Sequence, residues 1–322
     1  MNYFKLKDMM EYYQINIYFT TIVIAVLTAF FIPNSASLEV IITPALAFML
    51  FVTFLQVPIL ELKFAFKKIN FILALLFSNF IIIPIIVFGL IQFLPDNPLL
   101  KLGVLIVLLS PCVDYVVTFS HLGKANAKLL LASTPILLIV QMLLLPIYLN
   151  IFLGENSSKL IEFSPFIEAL VYLILIPLFL ALILQIYSKK STLVLNFTNL
   201  LNLFPVPSTA FILFVIILFI TPKLSSSIND ILLIIPIYIA FSLIAPIVGF
   251  NLGKLFKLNI EEKRSIAFSS ATRNSLVILP LALAIPNALP LVPAVIVTQT
   301  FIELISEIVY IKFFSRESKV IQ

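Results

Sequence analysis

Four residue types capable of chemistry stand deep inside apolar runs of this chain. Cys112 and Asp114 lie in "SPCVDY" (110–115), Arg273 in "ATRNS" (271–275) and Glu303 in "TQTFIELISE" (298–307). Pro111, beside the cysteine, lacks an N–H and crowds the preceding turn, so carbonyls near Val107 lose their helical partners. Freed carbonyls survive only inside protein or against water, and there they bind polar solutes. A thiolate selects soft ions, which suits trivalent arsenic or antimony. Asp114 and Arg273 carry opposite charges that are costly in hydrocarbon unless they face a cavity or one another. Glu303 is a candidate carrier of a coupling proton. Each has a plainer reading: Pro111 as a simple kink, Cys112 as a small hydrophobe, Asp114 with Arg273 as a structural ion pair. Glu307, near Lys312, reads as an interfacial residue. His121, beside Lys124, reads likewise.

The elements that hold these residues are membrane helices. Of the 322 residues, 62% are hydrophobic and only 11% charged. A soluble domain is roughly half apolar and a quarter charged. The apolar residues fall in runs of about 20, the length that crosses a bilayer as a helix. The alternation a β-barrel requires is missing. The reading is an all-α membrane protein with ten spans, near 14–32, 38–57, 70–94, 102–121, 129–153, 164–187, 206–221, 230–252, 265–285 and 291–311. The first reads as a retained span, not a cleaved signal. One cysteine excludes an internal disulfide.

Loop charges orient these spans. Lys5 and Lys7, the loops after the second, fourth, sixth and eighth spans, and the C-terminus together carry sixteen Lys and Arg. The opposite side carries Lys101, Lys159 and Lys223. Cytoplasmic loops retain basic residues, so both termini are expected in the cytoplasm of a plasma-membrane protein. The net charge of +5 thus has a topological cause and is no sign of nucleic acid. "ILELKFAFKKIN" (59–70) alternates cations with apolar residues and is expected along the inner interface.

An internal repeat links the chemistry to this topology. "PALAFMLFVTFLQVP" (44–58) resembles "PSTAFILFVIILFITP" (207–222), and Pro84 has a counterpart in Pro246. An offset of half the chain makes residues 1–160 and 161–322 two five-span repeats. An odd span number inserts the second copy inverted, a common plan of secondary transporters, with the site at midplane on broken helices. Applied to 110–115, the offset lands on 271–275. Cys112 stands about 16 Å of helical rise from Lys101 and from Lys124, which is mid-membrane.

The stretches from Ser110 to Leu149, "ATRNSLVILPLALA" and "PAVIVTQTFIELISEIVYI" resemble the arsenic-resistance permeases of the bile acid:sodium symporter superfamily. The resemblance implies a core of spans 3–5 and 8–10, a panel of spans 1, 2, 6 and 7, and broken helices 4 and 9 crossing at mid-membrane. It also implies Cys112 as a thiol contact for trivalent arsenic. Two departures stand out. Where the sodium symporters have Gln-Asn-Ser preceded by a sodium-binding glutamate, this chain has Arg273-Asn274-Ser275 preceded by Ser269, which argues against sodium coupling. The glutamate that follows the asparagine in arsenite permeases is replaced by Leu276.

The expectation is therefore an extruder of arsenite, with antimonite as a second metalloid, working by alternating access and proton exchange. Its substrate site comprises Pro111, Cys112, Asp114, Arg273, Asn274 and Ser275, with Glu303 and Asp114 as coupling groups and neither cofactor nor bound metal. Its partners are the bilayer and a small-molecule or metalloid substrate; the oligomeric state is not legible. The alternative is a transporter of an organic anion held by Arg273. Catalysis is disfavoured, because Cys112 and His121, nine residues apart, face opposite sides of a helix and are separated by about 13 Å of rise.

Overall fold

A computed structural model describes residues 3–31, 38–56, 67–113, 115–158, 170–222, 228–283, 285 and 289–317. Among them there are helices and no strands. Asp114 and most of the segment 59–70 lie outside the described residues.

Among the described residues, five helices are long and apolar enough to cross a membrane: Ile69–Ile91, Ala127–Leu153, Thr192–Ile220, Ile228–Leu255 and Leu291–Ser315. A sixth is Lys5–Tyr12 with Gln14–Ala29, bent by 61°. The other expected spans hold shorter apolar helices or broken ones. We number the helices α1 (Tyr3–Tyr12), α2 (Gln14–Ala29), α3 (Glu39–Gln56), α4 (Ile69–Phe77), α5 (Ile83–Ile91), α6 (Pro98–Leu108), α7 (Val116–Leu122), α8 (Ala127–Ser158), α9 (Ile176–Ser188), α10 (Thr192–Leu201), α11 (Pro205–Ile220), α12 (Ile228–Leu255), α13 (Ile260–Ala271), α14 (Ser275–Leu283) and α15 (Leu291–Glu317). The interval 102–121 is divided between α6 and α7, and 265–285 between α13 and α14. Helix α10 occupies a stretch that the hydropathy reading leaves between spans, because "TLVLNFTNLL" interleaves its polar and apolar residues.

Two compact units interleave along the chain. The first comprises Met1–Gln56, Ile161–Ile228 and Leu279–Val297; the second comprises Val57–Leu160, Asn229–Ile278 and Thr298–Gln322. In the first, α11 packs on α2 and α3, and α9 packs on α3. In the second, α6 and α7 pack on α8, while α13 packs on α4 and α7. Every candidate site residue belongs to the second unit.

Local sequence explains where the helices of that unit begin and bend. Asn97 caps α6, its side chain accepting from Leu99 N at 3.2 Å and Leu100 N at 3.3 Å, with Pro98 in the first turn. Asn259 and Glu262 form a capping box at α13. Pro84 cannot donate to the carbonyl four residues back, and one π turn, Ser78–Ile82, precedes α5. The orphaned carbonyl of Phe80 accepts instead from the Tyr148 hydroxyl. The same trio recurs at an offset of 162: Pro246 in α12, the carbonyl of Ser242, and the hydroxyl of Tyr310.

Gly249 marks a close approach within this unit. A Cβ there would sit 2.5 Å from Ser270 Oγ and 2.9 Å from the Ile266 carbonyl, so only glycine lets α12 come this near α13.

Candidate functional site

The two breaks meet. Residues 110–112 and 272–274 run antiparallel, with Pro111 opposite Arg273. Cys112 N donates to Thr272 O at 3.1 Å, and Asn274 N donates to Ser110 O at 2.8 Å. An offset of 162 exchanges these two bonds, since 112 maps to 274 and 110 to 272. The flanking hydroxyls obey the same offset: Ser110 donates to Ile106 O at 2.8 Å, and Thr272 lies 2.7 Å from Phe268 O. Each break thus supplies donors and acceptors for the other, as buried backbone requires.

Arg273 is fully buried and knits the breaks to their neighbours. Its Nη1 donates to Leu108 O at 3.2 Å, and its Nη2 to Asn79 Oδ1 at 2.9 Å and Ser269 O at 2.5 Å. The guanidinium carbon lies 5.5 Å from the centre of the Phe241 ring, within cation–π range. The carbonyl freed at the first break therefore belongs to Leu108 and is taken by Arg273. That of Val107, expected to be free, accepts from Ser110 N at 3.3 Å. Asn79 is held in place by bonds from its Nδ2 to Leu75 O at 3.1 Å and Ser269 Oγ at 3.0 Å.

Glu303 is the carboxylate of the site. Its Oε2 accepts from Arg273 N at 2.6 Å and from Gln299 Nε2 at 2.5 Å. Its Oε1 lies 2.9 Å from the Tyr115 hydroxyl, which also reaches Arg273 O at 2.8 Å. Glu307 departs from the interfacial reading: it is fully buried, with Oε1 2.6 Å from the Thr272 hydroxyl, and no ion pair to it exists among the described residues. His121, in the last turn of α7, is exposed, as an interfacial residue would be.

Cys112 is fully buried and is the chain's one thiol. Ser275 opens α14 and accepts from Thr300 Oγ1 at 2.8 Å. Several buried polar atoms of the site have no hydrogen-bond partner among the described residues: Arg273 Nε, Gln299 Oε1, Glu307 Oε2 and, on Asn274 alone, both side-chain amide atoms, Oδ1 and Nδ2. Each such group costs about 1–3 kcal/mol when left unmade, which makes the amide of Asn274 a candidate contact for a polar partner. No group of three or more His, Cys, Asp and Glu with metal-holding geometry occurs among the described residues.

The structure thus brings together Pro111, Cys112, Arg273, Asn274, Ser275 and Glu303, while Asp114 lies outside the described residues. Sequence reasoning missed Tyr115, Thr272 and Ser269 as partners and misplaced Glu307. A search for a single constant offset of 162 would have pointed to Thr272 as the counterpart of Ser110.

No curated protein matches the chain. The profile of the Sodium Bile acid symporter family matches residues 43–230, from α3 through the first residues of α12. The chain belongs to the Sodium Bile acid symporter family, whose members are membrane transporters.

Proposed function

We propose that this protein extrudes arsenite, and antimonite by the same chemistry, as a secondary transporter driven by proton exchange. One observation carries the reading: Asn274, buried and with neither amide atom partnered among the described residues, stands on the break bonded to the one that holds Cys112. Arsenite near neutral pH is a small uncharged trihydroxide. A thiol exchanges for one of its hydroxyls, forming a sulfur–arsenic bond and releasing water. The remaining hydroxyls suit an amide that both donates and accepts.

The ten-span count, the inverted halves 1–160 and 161–322 and the cytoplasmic termini are part of this proposal. The constant offset of 162 through Pro84, Phe80 and Tyr148, and through Ser110, Pro111 and Cys112, supports the repeat. Alternating access then moves the unit bearing the breaks without dismantling them.

Sodium coupling fits poorly. The guanidinium of Arg273 already stands where two carbonyls and an amide oxygen converge. The organic-anion alternative needs the fork of the guanidinium, yet both terminal nitrogens of Arg273 are engaged by protein oxygens and only Nε has no partner among the described residues.

The test is arsenite efflux from everted vesicles, with and without a proton gradient, for wild type and Cys112→Ser. Efflux accelerated by the gradient and abolished by the substitution is expected. Normal arsenite efflux by Cys112→Ser would sink the thiol mechanism.

A further inference from the structure

We propose that Glu303 and Glu307 form one proton-binding pair in which Glu307 holds the proton and the Thr272 hydroxyl reports its presence to the break. This deepens the proton-exchange reading and rests on it for its role in transport, though the proton site itself stands on geometry.

The argument is a count of hydrogens. The Thr272 hydroxyl has one, but its oxygen lies 2.6 Å from Glu307 Oε1 and 2.7 Å from Phe268 O. A carbonyl never donates, and two oxygens this close need a hydrogen between them. Both contacts are satisfied when Glu307 is the acid and donates to Thr272, which in turn donates to Phe268 O. An ionised Glu307 would take the Thr272 hydrogen for itself, leaving Phe268 O only the Thr272 N–H at 2.9 Å.

The surroundings assign the proton to Glu307 before Glu303. Glu307 Oε2 has no partner among the described residues, and an ionised carboxylate so placed is the costliest buried arrangement. Glu303, one turn away, has Arg273 N, Gln299 and Tyr115 around it and the guanidinium of the same arginine nearby. Tyr115 lies between Arg273 O at 2.8 Å and Glu303 Oε1 at 2.9 Å, longer contacts than those of Thr272, and its one hydrogen serves Glu303 while Glu303 is ionised. Two carboxylates this close beside one guanidinium do not both stay ionised in a buried site. Among the described residues, Tyr238 from α12 and Tyr310 from α15 also face them, and Cys112 from the first break lies by the guanidinium. Asp114 lies outside the described residues.

A way in exists. Tyr238, Phe241, Gln299, Ile302, Glu303 and Tyr310 line a cavity of about 10 Å³, the room one water needs. A proton arriving there reaches Glu303 first and Glu307 one helical turn further. Its uptake turns the Thr272 hydroxyl from carboxylate to carbonyl and so changes how the last turn of α13 is tied at the break.

Infrared spectroscopy of the purified protein in lipid nanodiscs, without substrate, tests the site. The carbonyl stretch of a protonated carboxyl group should be present at neutral pH. It should be missing in Glu307→Gln, whose amide replaces the acid with little change of shape. Thr272→Val should shift the band, because its hydrogen-bond acceptor is gone, and Cys112→Ser should leave it in place. A band unchanged in Glu307→Gln, or lacking in the wild type at neutral pH, overturns the proposal. Vesicle flux separates the site from its role. Loss of the response to a proton gradient in Glu307→Gln supports both. Loss of the band with gradient-driven flux intact upholds the proton site and overturns coupling through it.

Discussion

Removing the side chain of Arg273 leaves a cavity shaped for a cation, and that makes Arg273→Ala a searching test of the site. The substitution orphans three acceptors, Leu108 O, Ser269 O and Asn79 Oδ1, in a region with no exposure to solvent. At about 1–3 kcal/mol for each group left unmade, the loss is about 3–9 kcal/mol, a large part of a typical folding free energy. Guanidinium ion at low millimolar concentration should restore part of it, since the ion presents the same planar fork to the same oxygens. Ligand at about ten times its dissociation constant returns about 1.4 kcal/mol. The assay is thermal unfolding of wild type and variant in detergent, titrated with guanidinium, sodium and tetramethylammonium chlorides. Arg273→Ala should unfold at a lower temperature and be rescued by guanidinium. The wild type should show no such rescue, and tetramethylammonium, which cannot donate, should rescue neither. An Arg273→Ala protein as stable as wild type, or rescued equally by all three salts, would refute the claim that this guanidinium ties the breaks together.

Further outcomes follow from the same structure. Tyr148→Phe should cost about 0.5–1.5 kcal/mol by stranding the Phe80 carbonyl, and much less in a Pro84→Ala background, where the new alanine supplies an N–H; equal costs in both backgrounds, measured by equilibrium unfolding in mixed micelles, would contradict the assignment. Gly249→Ala should destabilise by about 1–3 kcal/mol, because the new methyl meets the Ile266 carbonyl as well as Ser270, and Ser270→Ala should therefore relieve only part of the cost. Asn259→Ala should cost about 1 kcal/mol through loss of the capping box, while Asn259→Asp retains the cap.

The parts of this architecture legible in the sequence are those with a local cause. Pro111 removes a helical donor and so marks a place where α6 can part from α7. Pro44, Pro135, Pro146, Pro236 and Pro246 nevertheless lie inside continuous helices, so the parting also needs the antiparallel partner at 272–274. The apolar runs mark helices, though hydropathy alone did not show α10. Where interactions are made between distant residues, sequence reading stops. Nothing near Arg273 in the chain announces that Asn79, Leu108 and Ser269 will share its guanidinium. The expected pairing with Asp114 came from setting the two breaks together and lies outside the described residues, while the acidic residue observed beside Arg273 is Glu303, 30 residues on. Glu307 was misjudged for a related reason. Nearness to Lys312 along one helix suggests an interface, but burial is decided by the break of another helix packed against it, which places Thr272 on its carboxyl group. The repeat is the intermediate case. Residue identities blur its offset, because Phe77-Ser78 and Phe241-Ser242 align at 164 while Pro84 and Pro246 align at 162. The hydrogen bonds do not blur. Phe80 with Tyr148, Ser242 with Tyr310, and the exchanged pair across Pro111 and Arg273 all keep 162. What recurs at this offset is which backbone groups lack a helical partner together with the kind of side chain that supplies one, a tyrosine hydroxyl for the carbonyls of Phe80 and Ser242 and a hydroxyl on Ser110 and on Thr272, because an unpaired buried carbonyl cannot be left bare.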